Sequence, residues 1–164
     1  TLNISSPNTK NLRDLQSVHN MGSFLDSIKI LHSNLKKVYK KHTPLVVKIA
    51  PDIEDEPLND LLNIINGYDI DGIICTNTTT DKTDLNHKFK NIQGGLSGKP
   101  LYEKSNIVLK NVKKYLNDDI TIIGVGGIDS ASSANEKFKL GADLVQLYTG
   151  LVYKGPNLIR NILS

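Results

Sequence analysis

The sequence predicts an α/β protein built on a parallel sheet, and two observations predict it. Short apolar runs alternate along the chain with amphipathic stretches at helical spacing. Each run is also nearly continuous in apolar residues, as expected of parallel strands covered by helices.

In chain order, a first strand is implied at Thr1 to Ile4. Ser23 to Lys40 then places Phe24, Ile28, Leu31, Leu35 and Val38 three or four apart, which is helix spacing. LVVKI (Leu45 to Ile49) reads as the second strand, and Leu58 to Asn66, with Leu61, Leu62 and Ile65, as the second helix. DGIIC (Asp71 to Cys75) is the third strand. The polar connection from Thr76 to Pro100 exceeds ordinary loop length, as lids and binding loops do. Ser105 to Leu116 is a helix through Val108, Leu109, Val112 and Leu116, followed by the strand ITIIGV (Ile120 to Val125). Asp129 and Ser130 are candidate caps of a fourth helix, which Gly141 stops. DLVQLY (Asp143 to Tyr148) and a short helix from Pro156 to Leu163 complete the pattern. Five strands and four connecting helices fit part of a (β/α)8 barrel or most of an open doubly wound sheet, and spacing does not choose between them.

At 164 residues, 38% hydrophobic and 23% charged, the chain is expected to be one globular domain or part of one. Basic residues (20) and acidic residues (17) are spread along it, and the densest basic run, Lys36, Lys37, Lys40 and Lys41, reads as a solvated helix face. No nucleic-acid partner is expected. Cys75 stands alone, which excludes an intrachain disulfide framework. No apolar run approaches the roughly 20 residues of a spanning helix. The chain begins inside what reads as a strand end, without a signal pattern or an initiator methionine, and is expected to be a piece of a longer protein.

Every unusual cluster follows a strand: NISSPNT (Asn3 to Thr9), KIAPD (Lys48 to Asp52), TNTTT (Thr76 to Thr80), GVGG (Gly124 to Gly127) and YTG (Tyr148 to Gly150). The site is therefore expected on the C-terminal rim of the sheet, where parallel-sheet enzymes keep their chemistry. GVGGI before a helix start offers backbone N–H groups to a phosphate, or is a plain tight turn. GGLSG (Gly94 to Gly98) reads as a flexible lid or a close backbone approach to a ligand. Lys48 interrupts an apolar strand, so its ammonium needs an anionic or electron-rich partner, either a ligand or Asp52. The amides and hydroxyls of Asn3, Asn8, Asn77, Thr76, Thr78 and Thr79 suit a small polar heterocycle, and equally suit turns. His19, His32, His42 and His87 neither pair nor recur near Ser5 and Ser6, so they read as polar surface. Neither a serine triad nor a metal site is supported.

In this order, NISSPNT, VVKIAPD, TNTTT, GGLSGKPL, IIGVGGI and LVQLYTG resemble the dihydroorotate dehydrogenases, over Asn3 to Pro156. The resemblance, not periodicity, selects the fold: the C-terminal part of a (β/α)8 TIM barrel, with its N-terminal strands missing from residues 1–164. It implies FMN at the rim and oxidation of dihydroorotate to orotate in pyrimidine biosynthesis. Ser6 matches the catalytic base for C5 of dihydroorotate, and Thr9 a position that helps relay the proton. A serine in place of cysteine points to the membrane-associated class that reduces quinone. Asn3 and Asn8 match substrate contacts, Asn3 lying also near the flavin, while Asn77 and Thr78 match the other side of the substrate. Lys48 matches the lysine beside the flavin pyrimidine ring. Thr76, Gly98, Gly127, Tyr148 and Thr149 match further FMN contacts, the last three at the phosphate end.

The resemblance also implies peripheral attachment to an inner membrane, on the bacterial cytoplasmic face or in the mitochondrion, through an N-terminal region outside this chain. Lys10 and Asn11 replace a usual Pro-Gly pair and are expected to loosen the loop, while Asp81 and Lys82 replace a common serine and arginine. Alone, the chain is expected to be inactive. Two other readings are a flavin-free phosphate-binding barrel enzyme, which leaves Lys48 and NISSPNT unexplained, and a non-catalytic fragment assembling with a separate N-terminal chain.

Overall fold

In a computed structural model, described over residues 1–83 and 85–164, five parallel strands form one sheet in the order β1 (Leu2–Asn3), β2 (Val46–Ile49), β3 (Gly72–Cys75), β4 (Thr121–Val125) and β5 (Leu144–Gln146). Each strand pairs with the next one in sequence. A doubly wound sheet reverses its strand order at a switch point, whereas strictly sequential order is that of neighbouring staves in a (β/α)8 barrel.

The strands sort their side chains by alternation. Val47, Ile49, Ile73, Cys75 and Ile122 are buried in the hydrophobic core. Around them pack Met21 and Leu25 of α1 (Val18–Tyr39), Leu58, Leu61, Leu62 and Ile65 of α2 (Asp55–Asn66), and Val108, Leu109 and Val112 of α4 (Tyr102–Tyr115). Asn3, Lys48, Ile74, Ile123 and Leu144 stand in one register across all five strands, on the other face. That face is the more open one: Asn3 and Leu144 are exposed and Lys48 is half-buried.

Local chemistry sets the boundaries. Ser130 caps α5 (Ala131–Lys139) through a reciprocal box with Ser133, as the sequence anticipates. Gly141 follows that helix at φ 104, a conformation closed to most side chains. α1 starts five residues before Ser23, because Ser17 takes the extended cap position. Its apolar stripe divides: Phe24 and Ile28 pack on the core, while Leu31, Leu35 and Val38 face solvent. At 1.5 Å per residue the 22-residue helix overhangs the 12-residue α2, leaving its C-terminal half without a neighbour of equal length. The lysines of that half are exposed, as a solvated face requires.

Three elements depart from the sequence reading. The Thr76 to Pro100 connection holds a short helix, α3 (His87–Lys90), and an antiparallel bridge between Thr79 and Leu96. Leu12–Gln16 forms a 3-10 turn after β1. DLVQLY keeps only three strand residues, and Tyr148 caps an additional helix, α6 (Thr149–Lys154), ahead of α7 (Asn157–Leu163). Among the described residues no helix is long and apolar enough to cross a membrane.

Candidate functional site

The ends of β2, β3, β4 and β5 converge on one cavity of about 430 Å³ on the rim, within the range of roughly 300–1,000 Å³ common to small-molecule sites. Lys48, Thr76, Gly98, Gly127, Tyr148 and Thr149 all line it, as do Asn77 and Thr78. Residues spread over about a hundred positions of sequence thus face one space.

The glycine loop after β4 is a cradle that side chains cannot enter. A Cβ on Gly127, at φ +74, would lie 2.5 Å from Cβ and 2.6 Å from Cα of Tyr102. Gly126 has the same constraint against Ser105. Bare backbone in this loop, with the first turn of α6 opposite, leaves N–H groups free to face an anion. Gly98 closes the third side: a Cβ there would sit 2.9 Å from Thr149 Cγ2, and the Thr149 hydroxyl donates to Ser97 Oγ at 2.9 Å.

Beneath this cradle lies a cation that the sequence reading did not single out. Lys137 of α5 is fully buried, its Nζ donates to Ser105 Oγ at 2.6 Å, and it stands 5.5 Å from the Tyr102 ring centroid. Ser105 Oγ in turn donates to the carbonyl oxygen of Gly126 at 3.1 Å. Burial pushes the Lys137 ammonium down to about 8 from its ordinary 10.5. The unfolded chain keeps that proton to higher pH than the folded one, so stability is expected to rise as pH climbs from about 8 to 10.5. The rise should amount to about 2 kcal/mol, and Lys137→Met should lack it. Urea midpoints of the two proteins at both pH values check this, and parallel pH dependence would remove the buried charge as its cause.

Lys48 projects from β2 into the cavity and forms no ion pair among the described residues; burial lowers its pKa. Asp52 is not its partner. The Asp52 carboxylate is engaged by Arg13 Nη1 at 2.8 Å and Lys104 Nζ at 2.9 Å. Burial raises this carboxyl, but hydrogen bonds from Thr79, Lys104, Thr80 and Arg13 outweigh it and hold it well below the usual carboxylate range.

At the other end, Asn77 Nδ2 donates to Asn3 Oδ1 at 3.0 Å and to Ser5 Oγ at 3.1 Å, joining the loops after β1 and β3. Ser6 Oγ accepts from the Asn8 backbone N–H at 3.2 Å. Thr9 is exposed, and its hydroxyl has no hydrogen bond among the described residues, to Ser6 or otherwise. The GGLSG loop presses close: a Cβ on Gly95 would overlap Thr78 Oγ1 and touch Pro7, and one on Gly94 would reach Asn8. Asn3, Ser6, Asn8 and Thr9 are not part of the cavity wall formed by the described residues.

Asn11 adopts a left-handed conformation, φ 59, that asparagine tolerates more readily than most residues other than glycine. Asp81 and Lys82 serve the loop's own fold, Asp81 pairing with Lys104 at 3.3 Å and Lys82 donating to the Ile92 carbonyl. His42 does more than face solvent, since its Nε2 lies 2.6 Å from Asp71 Oδ1 at the opposite end of the sheet. Burial pushes the Cys75 thiol up to about 12, which removes it as a nucleophile. Among the described residues no group of three or more candidate metal ligands occurs.

A family model described as dihydroorotate dehydrogenase matches residues 1–164. Dihydroorotate dehydrogenase (quinone) of Neisseria meningitidis serogroup A is 48% identical over 165 residues, covering 100% of this chain and 49% of that protein. The protein of the same name from Legionella pneumophila is also 48% identical, with 50% of its length covered. Two crystal structures from Eimeria tenella, of a dihydroorotate dehydrogenase in complex with ferulenol and of its ligand-free form, superpose with TM-scores of 0.90 and 0.87. Each is 33% identical over 98% of this chain, which spans 46% and 48% of theirs. The chain therefore spans about half the length of the relatives it matches.

Proposed function

The chain belongs to the dihydroorotate dehydrogenase family, and on that premise we propose that it forms the C-terminal staves of an FMN-binding (β/α)8 barrel that oxidises dihydroorotate to orotate and passes the electrons to quinone. The observation that carries this reading is one cavity onto which a half-buried Lys48 with no ion pair among the described residues, the glycine cradle at Gly127 and Thr149, and the amide and hydroxyl of Asn77 and Thr78 all face. The order of the six family motifs supports the C-terminal placement. Inner-membrane attachment rests on the quinone acceptor and on a region outside this chain.

The residues fit FMN. Backbone around Gly98, Gly127, Tyr148 and Thr149 suits a phosphate, and Thr76 lies between that end and the polar wall. Lys48, which lines the cavity, would supply a cation to offset the negative charge that a flavin held there gains on reduction. Bound there, FMN supplies the hydride acceptor. Asn3, Asn8, Asn77 and Thr78 orient the substrate through complementary donors and acceptors. Ser6 takes the proton from C5, with Thr9 as the exit toward solvent.

The sheet leaves one edge of β1 and one edge of β5 unpaired, so the site has walls on one side only. The isolated 164-residue chain is accordingly expected to show no dihydroorotate-dependent dye reduction. A protein extended upstream to the length of the relatives is expected to be yellow, with flavin bands that dihydroorotate bleaches. Turnover by the short chain would refute the first expectation. A colourless, well-folded long protein would refute the second and favour a flavin-free phosphate-binding barrel.

A further inference from the structure

Arg13 matches none of the assigned ligand contacts, yet all three nitrogens of its guanidinium are used. Nε donates to the Ser5 carbonyl at 3.0 Å, Nη1 to Asp52 Oδ2 at 2.8 Å, and Nη2 to the Thr78 carbonyl at 3.0 Å. The three acceptors belong to the segments after β1, β2 and β3 respectively. One planar group therefore triangulates three of the five strand-end segments that meet at the rim.

Its anchors are themselves fixed. Asp52 also accepts from Lys104 at 2.9 Å, from the Thr80 backbone N–H at 2.8 Å and from the Thr79 hydroxyl, so the carboxylate cannot follow a moving arginine. From the same 3-10 turn, Gln16 Oε1 accepts the buried Ala50 N–H at 2.8 Å. The turn thus grips the β2 segment at two points. Of the two carbonyls that Arg13 holds, one precedes Ser6 and the other belongs to Thr78.

We infer that Arg13 is a positioning residue for the proposed dehydrogenation, setting the spacing between Ser6 on one side of the substrate and the Asn77–Thr78 wall on the other. The inference rests on the function proposed above. A substrate held between those walls presents its C5 proton correctly only at one spacing, and a displacement of about 1 Å can cost up to roughly 10²-fold in rate. Lysine cannot replace the arginine, because one ammonium on a flexible stem lacks the fork that addresses three divergent acceptors.

The test uses the flavin-loaded protein extended to the length of the relatives, comparing Arg13→Lys with the unsubstituted protein. The readout is the rate constant of flavin bleaching per bound flavin at saturating dihydroorotate. The expected result is a fall of tenfold or more with unchanged FMN content, a split that a general loss of stability would not produce. Asp52→Asn, which keeps the shape of the anchor and removes its charge, should fall several-fold in the same assay. An unchanged rate in either variant would overturn the inference. So would loss of FMN from Arg13→Lys, since Arg13 touches none of Gly98, Gly127, Tyr148 or Thr149. Failure of dihydroorotate to bleach the unsubstituted protein would overturn the underlying function, and this inference with it.

Discussion

Replacing Ser6, the proposed base, by alanine in the extended protein is expected to leave FMN bound and to slow flavin reduction by dihydroorotate by about 10²–10⁴-fold, the range for losing a positioned base. The side chain is half-buried, and among the described residues its one hydrogen bond comes from the Asn8 backbone N–H at 3.2 Å within an exposed turn. Deleting the hydroxyl therefore removes little that the fold depends on. Backbone contacts by Arg13 to Ser5 and the Asn77 bridge to Asn3 and Ser5 remain in place to hold the loop. Stopped-flow bleaching at saturating dihydroorotate reads the effect directly. A rate equal to that of the unsubstituted protein would take the role of base away from Ser6.

The second large effect is at Gly127. Alanine there must place its Cβ within 2.9 Å of three Tyr102 atoms, N, Cα and Cβ, at a φ of +74 that disfavours any side chain. Two of those atoms are backbone at the head of α4, so no rotamer change relieves the overlap. Strain and overpacking together should cost about 2–5 kcal/mol, and the loop should withdraw its N–H groups from the cavity. The expected outcome is loss of most bound FMN, measured as the ratio of flavin to protein absorbance after gel filtration. Gly155→Ala is the matched control: its φ of +66 with ψ −172 also strains a side chain, but nothing lies within 4 Å of the added carbon, so flavin should stay while stability falls by about 1–3 kcal/mol. Full flavin retention by Gly127→Ala would remove the loop from cofactor binding.

The strands were legible because full burial of β3, and full burial of one face with partial burial of the other in β2 and β4, writes nearly continuous apolar runs, and each predicted strand lies within two residues of an observed one. The caps of α5 were legible because Ser130 and Gly141 act locally. The rim was legible too, since polar clusters after strands have no packing reason to recur. What escaped was set by tertiary context. Thr149 to Lys154 carries no helical periodicity long enough to read, and it folds because Gly98 and Ser97 meet Thr149. Lys137 looks like any surface lysine until α5 is seen to turn it inward beside Ala134, three residues earlier. Arg13 sits in an ordinary polar loop, and two of its three partners are 39 and 65 positions away. Asp52 was visible as a partner for a lysine, but which basic groups reach it depends on the folded rim.

β1 pairs with its neighbour over two residues and β5 over three, whereas β2, β3 and β4 pair with one another over four. The segment carrying Ser6 leaves the first of these short strands, and the one carrying Tyr148 and Thr149 leaves the other. In this 164-residue span the two segments proposed to carry the base and the phosphate end therefore leave the two shortest pairings. In the proposed complex, a cofactor and substrate reaching from Asn3 to Thr149 would tie the first strand end to the last. Occupancy would then steady both segments at once, and their local opening would be linked to ligand release.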